Sequence, residues 1–212
     1  MLQSILRKPR TAHDIALGVR LAKMHDRPIG PADVARVLKE AGIPYVIVGA
    51  HAANGYTGRP RATVDVDVIV RHPKKAARAV AAAFPSLQVQ DTPVVTRFKD
   101  ADHEAIDLMK PAGSKLWTRL IKESRDVVIG GASVRIPVLE GVLAAKFCAM
   151  VSPLRRLADK QQDGVDFLRM VEANETVDDN LAEELGELVY AGGGKEILKL
   201  IADARAGKRL EF

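Results

Sequence analysis

Apolar residues follow two spacings along the chain, and the places where one gives way to the other outline the elements. Behind Thr11-Ala12-His13-Asp14, which has the form of a capping box, Ile15, Leu17, Val19, Leu21 and Met24 predict a helix. Gly30-Pro31 sets a proline at a second helix start, and Val34, Val37 and Leu38 keep helical spacing until Gly42. Pro44 to Val48 is then a strand, Ala50 to Gly55 a short helix, Tyr56 to Ala62 a loop, and Val64 to Val70 a second, β-branched strand. Lys74 to Phe84 forms an alanine-rich helix with a basic face, stopped by Pro85. The runs 87–90, 94–99 and 104–109 read as a meander of strands, 114–122 as a helix holding Trp117, and 126–129 with 133–136 as a hairpin across Gly130-Gly131-Ala132. From Leu139 the spacing stays helical to Met150, breaks at Ser152-Pro153 and resumes from Leu157 to Glu172. Thr176-Val177-Asp178-Asp179 reads as another capping box before a helix to Tyr190, and a last helix covers 196–205. Gly192-Gly193-Gly194 between them is a hinge or turn, because no strand precedes it and no Gly-Lys-Ser/Thr follows it.

This order predicts a mixed α/β (α+β) architecture: N-terminal helices over 1–42, a core with a mixed sheet over 43–137 and a C-terminal helical region over 138–212. A hydrophobic share of 47% with 28% charged residues is that of a globular domain. No apolar run approaches the roughly 20 residues that cross a membrane, and the basic start lacks the apolar core of a secretory signal, so a cytoplasmic location is expected. Cys148 is the only cysteine, which excludes an intrachain disulfide and a cysteine zinc cluster. A net charge of +5 favours anionic partners, and an aromatic share of 4% argues against a base-stacking platform.

The chemistry concentrates between Gly49 and Val70. With side chains alternating along a strand, Asp65 and Asp67 leave one face while Val64, Val66 and Val68 pack behind them, their Cα atoms roughly 6.6 Å apart. A solvated polar face would account for an arbitrary Asp-x-Asp. Aspartate is a poor strand former, however, and a valine-rich run behind a glycine turn suits a pair held together by a hard divalent cation. Gly49 lets an anion approach the backbone, and the following helix start offers free N–H groups. Arg59 and Arg61 lie in the loop leading to the carboxylates, and His51 reads first as a local hydrogen-bonding residue. Lys146, on an apolar helix face, either meets phosphate or an acidic partner or snorkels. Asp163 and Asp166 share a helix face and read as partners of Arg155, Arg156 or Lys160. Asp107, between Ile106 and Leu108, would by itself be an edge-strand surface residue. His13-Asp14 and His25-Asp26 lack the further ligands of a His-Asp phosphohydrolase.

The segment from Gly58-Arg59-Pro60-Arg61-Ala62-Thr63 to Val64-Asp65-Val66-Asp67 resembles the DNA polymerase β-like nucleotidyltransferases, and within them the small bacterial branch that includes the type IV abortive-infection toxins of toxin–antitoxin pairs. Ala50 stands where that family usually has Gly or Ser, so a hydroxyl contact is missing while the backbone donors remain. The resemblance implies transfer of a nucleotide from a nucleoside triphosphate such as ATP to an acceptor hydroxyl, with Mg²⁺ or Mn²⁺ held by Asp65, Asp67 and Asp107. Gly49, Ala50, Arg61 and Lys146 are then expected at the phosphates. Lys146, Arg155-Arg156 and Lys160 to Asp166 are similar to the family's later lysine and Lys-Asp-x-x-Asp pattern, with two glutamines inserted after Lys160. The acceptor stays open between RNA such as tRNA, a protein side chain and a small molecule such as an aminoglycoside. A fold member without chemistry, acting as a binding protein or toxin–antitoxin partner, is the competing expectation.

Overall fold

The computed structural model describes residues 10–23, 29–63, 65–101 and 103–211. The expectations resting on Met24, on His25-Asp26 and on the basic start fall outside these residues, as does the one for Val64. The elements are α1 (Thr11–Lys23), α2 (Pro31–Glu40), β1 (Tyr45–Ile47), α3 (Gly49–Asn54), β2 (Val66–Val70), α4 (Pro73–Ala83), β3 (Gln88–Asp91), β4 (Val95–Asp100) and β5 (His103–Met109). There follow α5 (Lys115–Lys122), β6 (Ser124–Ile129), β7 (Ala132–Pro137), α6 (Leu139–Val151), α7 (Leu157–Ala173), α8 (Asp179–Glu187) and α9 (Gly193–Arg205).

Local chemistry sets several of these boundaries. Helix α1 starts at Thr11, and the acid of the expected capping box reaches one residue further back: Asp14 Oδ2 accepts from the Arg10 backbone N–H at 2.8 Å. Asp33 does the same for the Gly30 N–H at 3.0 Å, ahead of Pro31. At α8 the cap is Asp178, whose Oδ1 accepts from the Leu181 N–H at 3.1 Å, two residues later than the Thr176 pattern suggested. The glycine triplet is largely helical. Gly192 has φ 91° and caps α9, while Gly193 and Gly194 form its first turn. A Cβ on Gly193 would come within 2.5 Å of the Gly186 carbonyl oxygen, and one on Gly194 within 2.7 Å of that of Glu183. These glycines are needed for close packing of α8 on α9.

One mixed sheet runs in the order β1-β2-β5-β4-β3, and β6 and β7 form a separate antiparallel hairpin. β2 pairs with β5 in parallel, and the other neighbours are antiparallel. On β2 and β5, Val66, Val68, Ile106 and Leu108 are buried, whereas Asp67 and Asp107 leave the opposite side of their strands. Helix α3 contacts β2, α6 and α7, and α2 packs on α4 and the hairpin strand β7. Among the described residues no helix is long and apolar enough to cross a membrane. The C-terminal helices are joined at Phe147, which is fully buried, meets the Tyr190 ring at a centroid distance of 5.8 Å and lies beside Gly193. Phe147→Ala is expected to lower unfolding free energy by about 3–5 kcal/mol in urea titration, because the glycine contact cannot collapse into the void.

Candidate active site

The sheet register brings two of the expected carboxylates side by side. Asp67 on β2 is the direct partner of Asp107 on β5, and Asp107 is in turn the partner of Arg97 on β4. Strand β2 begins at Val66, one residue after Asp65, so Asp65 sits in the preceding bend and is not a strand residue. Its Oδ1 accepts from Thr63 Oγ1 at 3.0 Å. The first of the two aspartates is thus positioned by a loop hydroxyl, the second by the sheet.

Crowding of like charge marks this cluster. Burial, then the negative charges of Asp65 and Asp107, push the Asp67 carboxyl up to about 7, with Lys146 and Arg155 opposing. Asp107 is pushed up to about 6 by burial in spite of Arg97, with Glu104 and Asp65 adding to the rise. Its Oδ2 accepts from Arg97 Nε at 3.2 Å, while its Oδ1 is buried without a hydrogen-bond partner. Gly49 closes the other side. Its φ is +61°, and a Cβ there would lie 1.9 Å from Asp67 Oδ2. Glycine is therefore required twice, for the backbone and for the carboxylate it faces. The first helical hydrogen bond of α3 is donated by Ala52 to Val48 at 3.4 Å, which leaves the N–H groups of Gly49, Ala50 and His51 without an intrahelical acceptor. Ala50 is 7% exposed, so its methyl is packed rather than presented.

Arg61 and Lys146 meet carboxylates of α7. Arg61 forks onto Asp166, Nε to Oδ1 at 3.2 Å and a terminal nitrogen to Oδ2 at 3.0 Å. Lys146 Nζ is buried and donates to Asp163 at 2.8 Å and to Asp166 at 2.7 Å. Arg155 Nε bonds the other oxygen of Asp163 at 2.5 Å. Of the cations expected beside the α7 acids, Arg155 is there, Arg156 pairs with Asp159 instead, and Lys146 and Arg61 complete the group. Burial works against ionisation of Asp166, but Lys146 and Arg61 outweigh it and hold the carboxyl below the usual range. Two of the three N–H donors of Lys146 are taken by these acids. Arg61 and Arg155, with side chains 33% and 44% exposed, are the members of the network with surface to spare.

Three residues of the site were missed from the sequence. Arg97 gave no signal because only the β4–β5 register brings it to Asp107. Asn54, 2% exposed, clamps the backbone of Arg61 by donating Nδ2 to its carbonyl at 2.8 Å and accepting its N–H at 3.0 Å. Gly18 of α1 makes room for that amide, since a Cβ there would lie 2.2 Å from Asn54 Nδ2. His51 is buried with Nδ1 unpartnered, and burial, with Arg61 adding, lowers its pKa to about 4 against the pull of Asp65. At neutral pH this favours the uncharged imidazole. Arg59 is exposed.

Among the described residues no three histidine, cysteine, aspartate or glutamate side chains converge closely enough to hold a metal ion. The donor set nevertheless fits a hard cation: oxygen ligands only, an orphaned Asp107 oxygen and a carboxyl at Asp67 that its neighbours' charges disfavour ionising.

Two outcomes are expected from this electrostatic arrangement. Between about pH 4 and pH 7 the folded state keeps a proton on Asp67 that the unfolded chain has released, so this group makes the protein less stable as pH rises through that window. Asp67→Asn removes the slope. Thermal melts without divalent cation should therefore show the variant gaining on the parent from pH 4 to pH 8, by a few kcal/mol at most. Lys146→Met leaves two buried carboxylates short of a cation and is expected to cost about 3–5 kcal/mol in urea unfolding.

No protein-family model matches the chain, and no curated protein matches it in sequence. Solved structures do resemble it. An antigenic nucleotidyltransferase-like protein from Paracoccidioides brasiliensis superposes with a TM-score of 0.52 at 15% identity, covering 95% of this chain and 97% of that one. JHP933 from Helicobacter pylori gives 0.49 at 19% identity over 90% and 91%. The factor ANT(2'')-Ia, in complex with adenylyl-2''-tobramycin, gives 0.45 at 16% identity over 89% and 98%. A five-stranded mixed sheet flanked by helices, matched over nearly its whole length by the first of these, gives this chain the nucleotidyltransferase-like fold.

Proposed function

We propose that the protein transfers a nucleotidyl group from a nucleoside triphosphate to an acceptor hydroxyl, with release of pyrophosphate. The observation that carries this reading is the register of Asp67 with Asp107 beside Gly49, on a fold of nucleotidyltransferase type. In the reaction the acceptor O–H bond breaks, its oxygen bonds to the α-phosphorus, and the bond from that phosphorus to the bridging oxygen of pyrophosphate breaks. Negative charge accumulates at the phosphorus, so the site must neutralise it and hold the reactants in line.

Asp65, Asp67 and Asp107 are the residues that would hold Mg²⁺ or Mn²⁺. Such a cation supplies charge neutralisation and lowers the pKa of an acceptor hydroxyl. The chain's own residues do the rest. The N–H groups of Gly49 and Ala50 donate to phosphate oxygens at the mouth of α3. Arg61 and Arg155 offer the guanidinium edges that their carboxylates leave free, and Lys146 acts behind them by fixing Asp163 and Asp166. Lys146 is thereby a positioning residue, which narrows the sequence expectation that it touches phosphate. The unpartnered Oδ1 of Asp107 is the atom suited to receive the acceptor proton. The acceptor, whether RNA such as tRNA, protein or small molecule, and a toxin-like role in a toxin–antitoxin pair belong to the same reading.

A second reading, a binding protein without chemistry, is favoured by one observation: with Arg97 on Asp107, no three acids converge. Incubation with each α-labelled triphosphate and cell extract decides between them. Label transfer by the parent that falls at least about a hundredfold in Asp65→Asn, Asp67→Asn and Asp107→Asn, with melts showing folded protein, is the expected result. Parent-level transfer by Asp65→Asn overturns the assignment. Absence of both transfer and Mg²⁺-dependent triphosphate binding at millimolar concentration supports the binding protein.

A further inference from the structure

The third carboxylate already has a cation. Arg97 lies directly across the β4–β5 ladder from Asp107, donates from Nε to Oδ2 at 3.2 Å and sets a terminal nitrogen 3.4 Å from Glu104. The two partners are unequal in freedom. Both belong to inner strands of the sheet, but the Arg97 side chain is 38% exposed and that of Asp107 only 11%. A guanidinium on a long stem can move into water at little cost, but the carboxylate cannot follow it. The other oxygen of Asp107 is buried and unpartnered, on a residue in register with Asp67.

From this geometry we propose that Arg97 is the resident counter-ion of Asp107 and sets the divalent-cation affinity of the acid cluster. A divalent ion joining the cluster competes with the guanidinium for one carboxylate, and two cations on it repel. The side chain that can leave is Arg97. The inference rests on the reading of Asp65, Asp67 and Asp107 as a cation-holding cluster. A role as an ordinary surface ion pair would predict no effect on cation binding.

Manganese titration followed by loss of the free Mn²⁺ electron paramagnetic resonance signal tests this without any substrate. An opposite charge at hydrogen-bond range changes a carboxylate's proton affinity tenfold or more, and a divalent cation should respond at least as strongly. Arg97→Met is therefore expected to bind Mn²⁺ about tenfold tighter than the parent. Arg97→Gln, which keeps an amide donor and loses the charge, should follow it, and Arg97→Lys, which keeps the charge, should stay near the parent. Circular dichroism melts establish that each is folded, and the glutamine variant carries the test if the methionine variant is not. Equal or weaker Mn²⁺ binding by the charge-free variants, with parent binding that Asp67→Asn abolishes, overturns the inference and leaves the cluster standing. If neither the parent nor Arg97→Gln shows Asp67-dependent Mn²⁺ binding, the cluster reading falls and takes this proposal with it.

Discussion

Burial of like-charged carboxylates beside one another is the constraint on which the candidate site depends. Asp67 and Asp107 lie in register on adjacent strands with Asp65 in the bend before β2, and burial makes their mutual charge felt. The chain answers with a second charged layer. Asp163 and Asp166 on α7 draw Lys146, Arg61 and Arg155 together from a helix, a loop and an interhelical turn. That group has one more positive than negative charge, and its Lys146 and Arg155 act on Asp67 as well. Burying Lys146 with two carboxylates is costly, so the network is weak evidence for stability; what it does is hold three segments in one geometry.

Each half of the candidate site is tied to that geometry by a contact that tolerates little change. Asn54 binds both backbone groups of Arg61, and Arg61 binds both oxygens of Asp166, so the loop before β2 is fixed from α3 on one side and α7 on the other. On the sheet side, Asp67 is pressed against Gly49, and only a residue without Cβ permits it. The start of α3 and the acid cluster are therefore parts of one packing unit.

Much of the fold was legible because its signals are local. Proline and glycine punctuation, the β-branched runs at 45–48 and 66–70, and helical spacing after Leu139 bound the elements to within a few residues of where they lie. Asp65 shows the limit of strand periodicity: the alternation that predicts a strand from Val64 runs back past the first rung of the ladder at Val66, into a bend where Thr63 holds Asp65. Gly192-Gly193-Gly194 looked like a hinge because glycine runs are flexible in isolation, and packing on α8 could not be read from composition. The partners of Lys146 and Arg61 were hidden for another reason. Ion pairs between α6, α7 and a loop far upstream depend on how helices cross, which no short motif records. Arg97 is the same case in a sheet, where strand order decides which charges become neighbours.

The parallel pairing of β2 with β5 has a consequence for how the molecule reaches this state. Asp67 and Asp107 belong to adjacent strands, yet the chain between them must first travel through α4 and the β3–β4 ribbon before β5 can slot between β2 and β4. Closing so large a loop is entropically expensive and is compensated only once the non-local ladder forms. The two acids therefore come together only through this long-range ladder, so their repulsion opposes a non-local contact and leaves the local β3–β4 and β4–β5 pairings untouched.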